Sequence, residues 1–294
     1  MAFEKSTIVR SLNSLFWVLD KAAPTLGSVL AERLWCTVPK AAKLPAIDPG
    51  ERFTVRVNGS DIVAEAWGDG PVVYLMHGWG GNRRQLDPFV APLLTAGHRV
   101  VSFDAPSHGD SGPGAFGPRR GLLTEFSEAL AATVAVAGPA HGLIGHSLGG
   151  AAAAIAMLDG LTVQRAVLIC AMADPDPYTV EFARWLGFGE RIRKGFLRRL
   201  EERVGRPMSD FDILSRARET EVTPLPPLLV VHDRNDREVH YGDGQELALA
   251  WPKAELVTTV GLGHRRILAD PAIVQRVVDH VAVLASLSGL SASR

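Results

Sequence analysis

Apolar and polar positions change rhythm along this chain, and each change marks a different kind of element. In residues 5–20, Ile8, Leu12, Leu15, Phe16 and Leu19 recur at helical spacing, with Lys5, Arg10 and Asn13 elsewhere. A second helix is expected from Pro24, a favoured first-turn position, carrying Val29, Leu30, Leu34 and Trp35. Pro39, Pro45 and Pro49 then make residues 39–50 a linker. Residues 1–50 therefore read as a helical arm and linker packed on the main body, 51–294. A homodimer contact or a membrane-surface helix is the sharper alternative for the arm.

From residue 52 the rhythm becomes that of strands. Phe53, Val55 and Val57 alternate with polar partners, Asn58-Gly59 supplies a hairpin turn, and Ile62, Ala64 and Ala66 resume the alternation. Continuous apolar runs follow at 72–76, 100–103, 142–144, 166–170, 228–231 and 256–260. Short runs of this kind suit parallel strands covered on both faces. Helical segments are expected between them near 84–96, 121–137 and 148–159, each closing on a glycine (Gly97, Gly138, Gly160), with a final one near 271–287. Such alternation predicts an α/β fold, a mostly parallel eight-stranded sheet with helices on both faces. One stretch breaks the pattern. Residues 175–225 are far longer than a crossover needs and mix Phe182, Trp185, Leu186, Phe188, Phe196 and Leu197 with many arginines. They read as a small helical cap over one end of the sheet, with Trp185 and Phe188 lining a pocket and Arg191, Arg193, Arg198 and Arg199 facing water.

Composition narrows the partners. With 47% hydrophobic and 21% charged residues, a sizeable core is available and disorder is not indicated. A net charge of −1 gives no electrostatic footprint for nucleic acid. Cys36 and Cys170 are far apart and read as two buried thiols, which favours a reducing compartment. The apolar stretch Leu15–Leu19 is shorter than a secretory core and runs straight into Asp20 and Lys21. A cytoplasmic protein is expected.

The strongest chemical signal is Gly145-His146-Ser147-Leu148-Gly149, placed directly after an apolar strand and before an alanine-rich helix. A serine projecting above a sheet from so sharp a turn needs a strained backbone, and side chains two positions either side would collide. The N–H of Leu148, at a helix N-terminus, can face an oxyanion.

Two further segments carry a resemblance. His77-Gly78-Trp79-Gly80-Gly81 looks like the H-G-x-G turn of α/β-hydrolases, and Phe103–Ser111 resembles that superfamily's D-x-P-G-H-G-x-S segment, with Ser107 where glycine is usual. The resemblance spans about residues 52–285 and leaves the arm unexplained. It implies the α/β-hydrolase fold, and it implies the N–H of Trp79 as second oxyanion donor. It also implies a base in the loop after the last strand, which His264 in Gly261-Leu262-Gly263-His264 supplies. Among the other histidines, His77 and His146 belong to turn motifs, His280 to the final helix, and His240 could approach the site. The acid is sought after the seventh strand in His232–Glu238. The superfamily's H-G-x-x-D pattern puts it at Asp236, with Asp233 as a turn residue and Asp174 as the outside choice.

Ser147…Asp236…His264 is the chain order this fold uses. The expected function is hydrolysis of carboxylic esters with an apolar part through an acyl-enzyme, with no metal and no organic cofactor. Thioesterase, acyltransferase, amidase and perhydrolase chemistry use the same triad. A non-catalytic binding protein on this fold is a different class, against which the intact triad argues.

Overall fold

The computed structural model describes residues 7–41, 48–220 and 224–282. Lys5, Pro45, residues 221–223 of the insertion and the end of the final helix beyond Ala282 lie outside the described residues. Helices α1 (Thr7–Ala22) and α2 (Pro24–Trp35) come first, followed by β1 (Glu51–Val57) and β2 (Ser60–Trp67). Asn58 and Gly59 join these two strands with φ of 48° and 82°. Positive φ at both positions matches the right-handed twist of a hairpin, which an Asn-Gly pair adopts at low cost.

The α/β body continues with β3 (Val72–Met76), α3 (Val90–Thr95), β4 (Arg99–Phe103), α4 (Leu123–Ala137), β5 (Ala140–His146), α5 (Leu148–Leu158) and β6 (Val163–Ile169). The insertion supplies α6 (Asp176–Leu186), α7 (Glu190–Val204) and α8 (Ile213–Glu219). Then come β7 (Leu228–Asp233), α9 (Tyr241–Ala250), β8 (Ala254–Thr259), α10 (Gly263–Arg266) and α11 (Pro271–Ala282). The eight strands form one sheet in the order β1-β2-β4-β3-β5-β6-β7-β8. Pairing is antiparallel as far as β4 and parallel beyond it. Every residue of β3, β5 and β7 is buried, as their unbroken apolar runs demand. Helix α9 has no counterpart in the sequence reading. Gly242 and Gly244 sit in its first turn and weaken the helical signal, yet a side chain at Gly244 would meet the His232 ring at 2.6 Å.

Three cores hold the molecule. One lies between the sheet and α4, α5, α8 and α9, and a second between its other face and α3 and α11. The third contains no strand residue and joins arm to cap: Phe16, Ala31 and Cys36 with Leu186, Phe188 and Phe196. Here two sequence expectations are corrected. Phe188 does not line a pocket; it is buried with its ring 4.9 Å from that of Phe16. Arg193 and Arg199 do not simply face water. Arg193 bonds Thr179 and Asp176, and Arg199 joins Arg203 on the carboxylate of Glu32, each Nε at 2.7 Å. Glu32 is 1% exposed, so its charge is held by those two guanidinium groups. Arg191 and Arg198 are exposed, as expected.

A second buried ion cluster ties the turn after β3 to the turn after β4. Arg83 donates to Asp104 and, at 3.0 Å each, to Glu65 and Asp110. Asp104 also accepts the N–H groups of Arg83 and Asp110. Arg83→Met would leave Asp104 buried without a counter-charge and Glu65 with only the exposed Arg52, 3.8 Å away. The expected loss is about 3–5 kcal/mol, read as a shift in the urea midpoint.

Candidate active site

Ser147 stands between β5 and α5 with φ 54° and ψ −125°. The backbone can take this strained turn because the residues two positions either side, Gly145 and Gly149, carry no side chain. A Cβ at Gly145 would lie 2.7 Å from the Gly150 Cα, and one at Gly149 would lie 2.2 Å from the His77 carbonyl oxygen. The turn after β3 passes directly over the serine, for a Cβ at Gly78 would lie 2.9 Å from that of Ser147. The N–H of Gly78 is taken by Gln85 Oε1 at 2.7 Å. Those of Trp79 and Leu148 find no acceptor among the described residues, so both remain available to an incoming oxygen. Gln85 was not singled out from sequence, since nothing in its surroundings marks it.

His264 opens the short α10 just past β8, and its Nδ1–H donates to Asp236 Oδ2 at 2.7 Å. Asp236 Oδ1 accepts the N–H groups of Glu238 at 2.8 Å and Val239 at 3.0 Å. Burial alone would raise this carboxyl, but the bonds from His264, Val239 and Glu238 outweigh it and hold it well below the usual carboxylate range. Ser147 Oγ makes no hydrogen bond among the described residues, so the His264–Asp236 half of the relay is formed and the serine half is open. Such contacts are often long in free enzymes and close on substrate. Glu238, at the end of the segment searched for the acid but not chosen there, places Oε2 4.0 Å from His264 Nε2 while pairing with Arg265.

The remaining candidates have structural surroundings. Asp233 accepts from the N–H of Asn235 and, on Oδ2, from the Thr259 hydroxyl and the N–H of Leu262. It thus fixes both its own turn and the loop leading to His264. Asp174 accepts the N–H of Asp176. His146 Nε2–H donates to the His264 carbonyl at 2.9 Å, and burial pushes its pKa down to about 3. His77 is pushed down to about 4, also by burial; its Nδ1–H donates to Gly78 O and its Nε2 accepts from Ala105 N–H. Both rings are neutral pins of the turns on either side of Ser147. His240 is exposed and pairs with Glu181. Ser107 takes φ 64°, the conformation glycine would supply, so the segment keeps its turn. One set of potential metal ligands exists among the described residues: Cys170, His232 and Asp236, with ligand atoms within 4.8 Å of one another. Its chemistry fits poorly, since burial pushes the Cys170 thiol far up and Asp236 is already engaged by His264.

Ser147, Leu148 and Trp79 form the floor of a cavity of about 1330 Å³. Trp185 reaches it from the cap, half exposed at 51%. On its wall Tyr178 donates to Asp243, whose pKa burial raises to about 6 against the pull of that bond. A raised carboxyl stabilises the fold fully below its unfolded value and loses that contribution as pH climbs through 6. The neutral histidines act oppositely over this range and are common to both proteins, so the difference in unfolding free energy, wild type minus Asp243→Asn, should fall between pH 4 and pH 6; parallel curves would refute the shift.

The profile of the Alpha/beta hydrolase family matches residues 72–275. The chain belongs to the alpha/beta hydrolase family. Among curated proteins, one named as a carbamate hydrolase, RutD of Variovorax paradoxus (strain S110), is 31% identical over 112 residues. That match spans 38% of this chain and 42% of RutD, less than half the relative's length. Solved structures share the hydrolase fold. A bromoperoxidase from Bacillus anthracis superposes with a TM-score of 0.58 at 19% identity, covering 79% of this chain and 99% of that one. The esterase RhEst1 from Rhodococcus sp. ECU1013 gives 0.57 at 21% identity over 80% and 99%. A meta-cleavage product hydrolase (CumD) from Pseudomonas fluorescens IP01 gives 0.57 at 17% over 79% and 97%. The family match begins at β3, so the whole N-terminal arm of this chain lies outside it.

Proposed function

We propose that this hydrolase is a serine esterase. Ser147 Oγ attacks the ester carbonyl carbon while its proton passes to Nε2 of His264. Asp236 holds the Nδ1–H tautomer and stabilises the imidazolium that results. The N–H groups of Trp79 and Leu148 receive the negative charge that develops on the carbonyl oxygen. The alcohol leaves with the proton from His264, and water then repeats the sequence to release the acid. The observation that carries this reading is the 2.7 Å bond from His264 to Asp236, with the His264 ring 4.6 Å from that of His146, which directly precedes the strained serine lining an apolar cavity. We place the enzyme in the cytoplasm, a reading supported by two free, buried cysteines.

A fluorophosphonate probe should label the protein, and peptide mass spectrometry should find the adduct on Ser147. A folded protein that stays unlabelled under conditions that label a control esterase would end the proposal. Carbamate hydrolysis is a second reading, favoured by the match to RutD. The ratio of turnover on p-nitrophenyl butyrate to that on a p-nitrophenyl carbamate separates the two. The ester reading expects the butyrate to be faster by tenfold or more.

A further inference from the structure

We infer that the N-terminal arm forms one wall of the acyl pocket, and that the acyl group it receives is a long, uncharged aliphatic chain. This rests on the serine esterase reading for its reaction but on separate observations for its geometry. Leu12 of α1, Leu34 and Trp35 of α2, and Thr37 and Pro39 just beyond all line the cavity above Ser147. They face Phe182, Leu186 and Leu200 of the cap across the same space.

The wall is anchored at both ends. Against the cap, α2 approaches α7 at two glycines, where a Cβ on Gly27 would meet Ile192 at 2.4 Å and one on Gly195 would meet the Ser28 hydroxyl at 2.3 Å. Ser28 Oγ donates to the Ile192 carbonyl at 3.1 Å, and Glu32 takes the two arginines of α7. The Trp35 ring lies edge-on to Phe182 with centroids 5.2 Å apart. Towards the catalytic edge, the Cys36 carbonyl accepts the N–H of Gly121, and Val38 N–H donates to Arg119. Pro39 packs on Gly80, where a Cβ would lie 2.4 Å from its Cγ. The arm therefore touches the turn that carries the Trp79 N–H as well as the cap.

Size and chemistry name the ligand. Pockets for small ligands typically hold about 300–1,000 Å³, and this one holds about 1330 Å³. Of the five charged residues on its lining, four already have partners: Glu181 with His240, Glu201 with the N–H of Met208, Arg206 with Asp159 and Asp210, and Glu238 with Arg265; the fifth, Arg237, is exposed to solvent. Away from the exposed Arg237, the surface that remains to meet a ligand beyond the reacting carbonyl is mainly aliphatic and aromatic. A flexible chain of methylenes fills such a space with no unmet polar group.

The test is a p-nitrophenyl ester series from acetate to palmitate on the full chain. In the wild type, kcat/KM should rise by up to about fourfold per added methylene, the equivalent of about 0.8 kcal/mol, until the chamber is full. Leu12→Trp and Thr37→Trp add bulk to the arm wall. Each should cut kcat/KM on the longest good ester by tenfold or more relative to its own value on acetate, so that the long-to-short ratio falls. Trp17→Ala, on the same arm but 62% exposed and off the wall, should match the wild type throughout. Quenching of tryptophan fluorescence by the same esters on Ser147→Ala is the measurement of binding without turnover. If esters are cleaved and Ser147 is labelled, but neither bulky variant alters the chain-length profile, the arm inference falls alone. If no ester is cleaved, the esterase reading falls and the binding series decides. Affinity that rises with chain length and drops in both bulky variants sustains the arm's role, and a flat series overturns it.

Discussion

Replacing Ser147 by alanine is expected to lower ester turnover by roughly 10⁴–10⁶ while leaving thermal stability almost unchanged. The size follows from removing the attacking atom, after which only binding and the oxyanion donors act on the ester. The neutral effect on folding follows from the local structure. Ser147 Oγ makes no hydrogen bond among the described residues, and alanine meets the same φ of 54° that serine already bears. The measurement is steady-state hydrolysis on freshly purified protein, with thermal melts alongside. Activity within tenfold of wild type, once contaminating esterase is ruled out, would remove Ser147 from the reaction.

The second large effect separates two neighbouring carboxylates. Asp236→Asn should cost on the order of 10⁴ in kcat, because an amide can donate to Nδ1 and so selects the wrong imidazole tautomer. Asp233→Asn should cost far less activity and instead lower stability by roughly 1–3 kcal/mol, since one of its oxygens serves both Thr259 and Leu262. The two side chains are three residues apart and both buried, so any nonspecific effect of losing a buried charge would be shared. Opposite results, with Asp233 critical and Asp236 dispensable, would show that the geometry at His264 is not the working one.

The sheet was legible because its interior strands have no polar face to confuse the pattern, and the hairpin because Asn58-Gly59 permits few alternatives. The serine turn was legible for a local reason as well, since glycines 145 and 149 are demanded by contacts within a few residues or in the adjoining turn. What escaped was set by distant contacts. Phe188 looked like a pocket residue by its company in sequence, but Phe16, 172 positions away, claims its ring. Arg199 looked like a solvated charge until Glu32 was brought beneath it. Arm and cap are separated in sequence by six of the eight strands, so no local periodicity records that they share a core or line one cavity. Glu238 was missed for the opposite reason, being an ordinary acidic loop residue whose interest is only its approach to His264.

That strand-free core has a consequence for how the molecule breathes. Phe16, Ala31 and Phe196 bury themselves without help from any strand, so arm and cap can melt together while the sheet stays intact. Amide exchange should report this as a foldon. Protons in α2 and α7 would share one opening free energy, lower than that of β3 and β5, and Glu32→Gln would weaken protection in both helices without touching the strands. Entry of a long chain into the chamber would then be a partial-unfolding event of one small cooperative unit, with its rate set by the stability of that unit and not by the chemistry at Ser147.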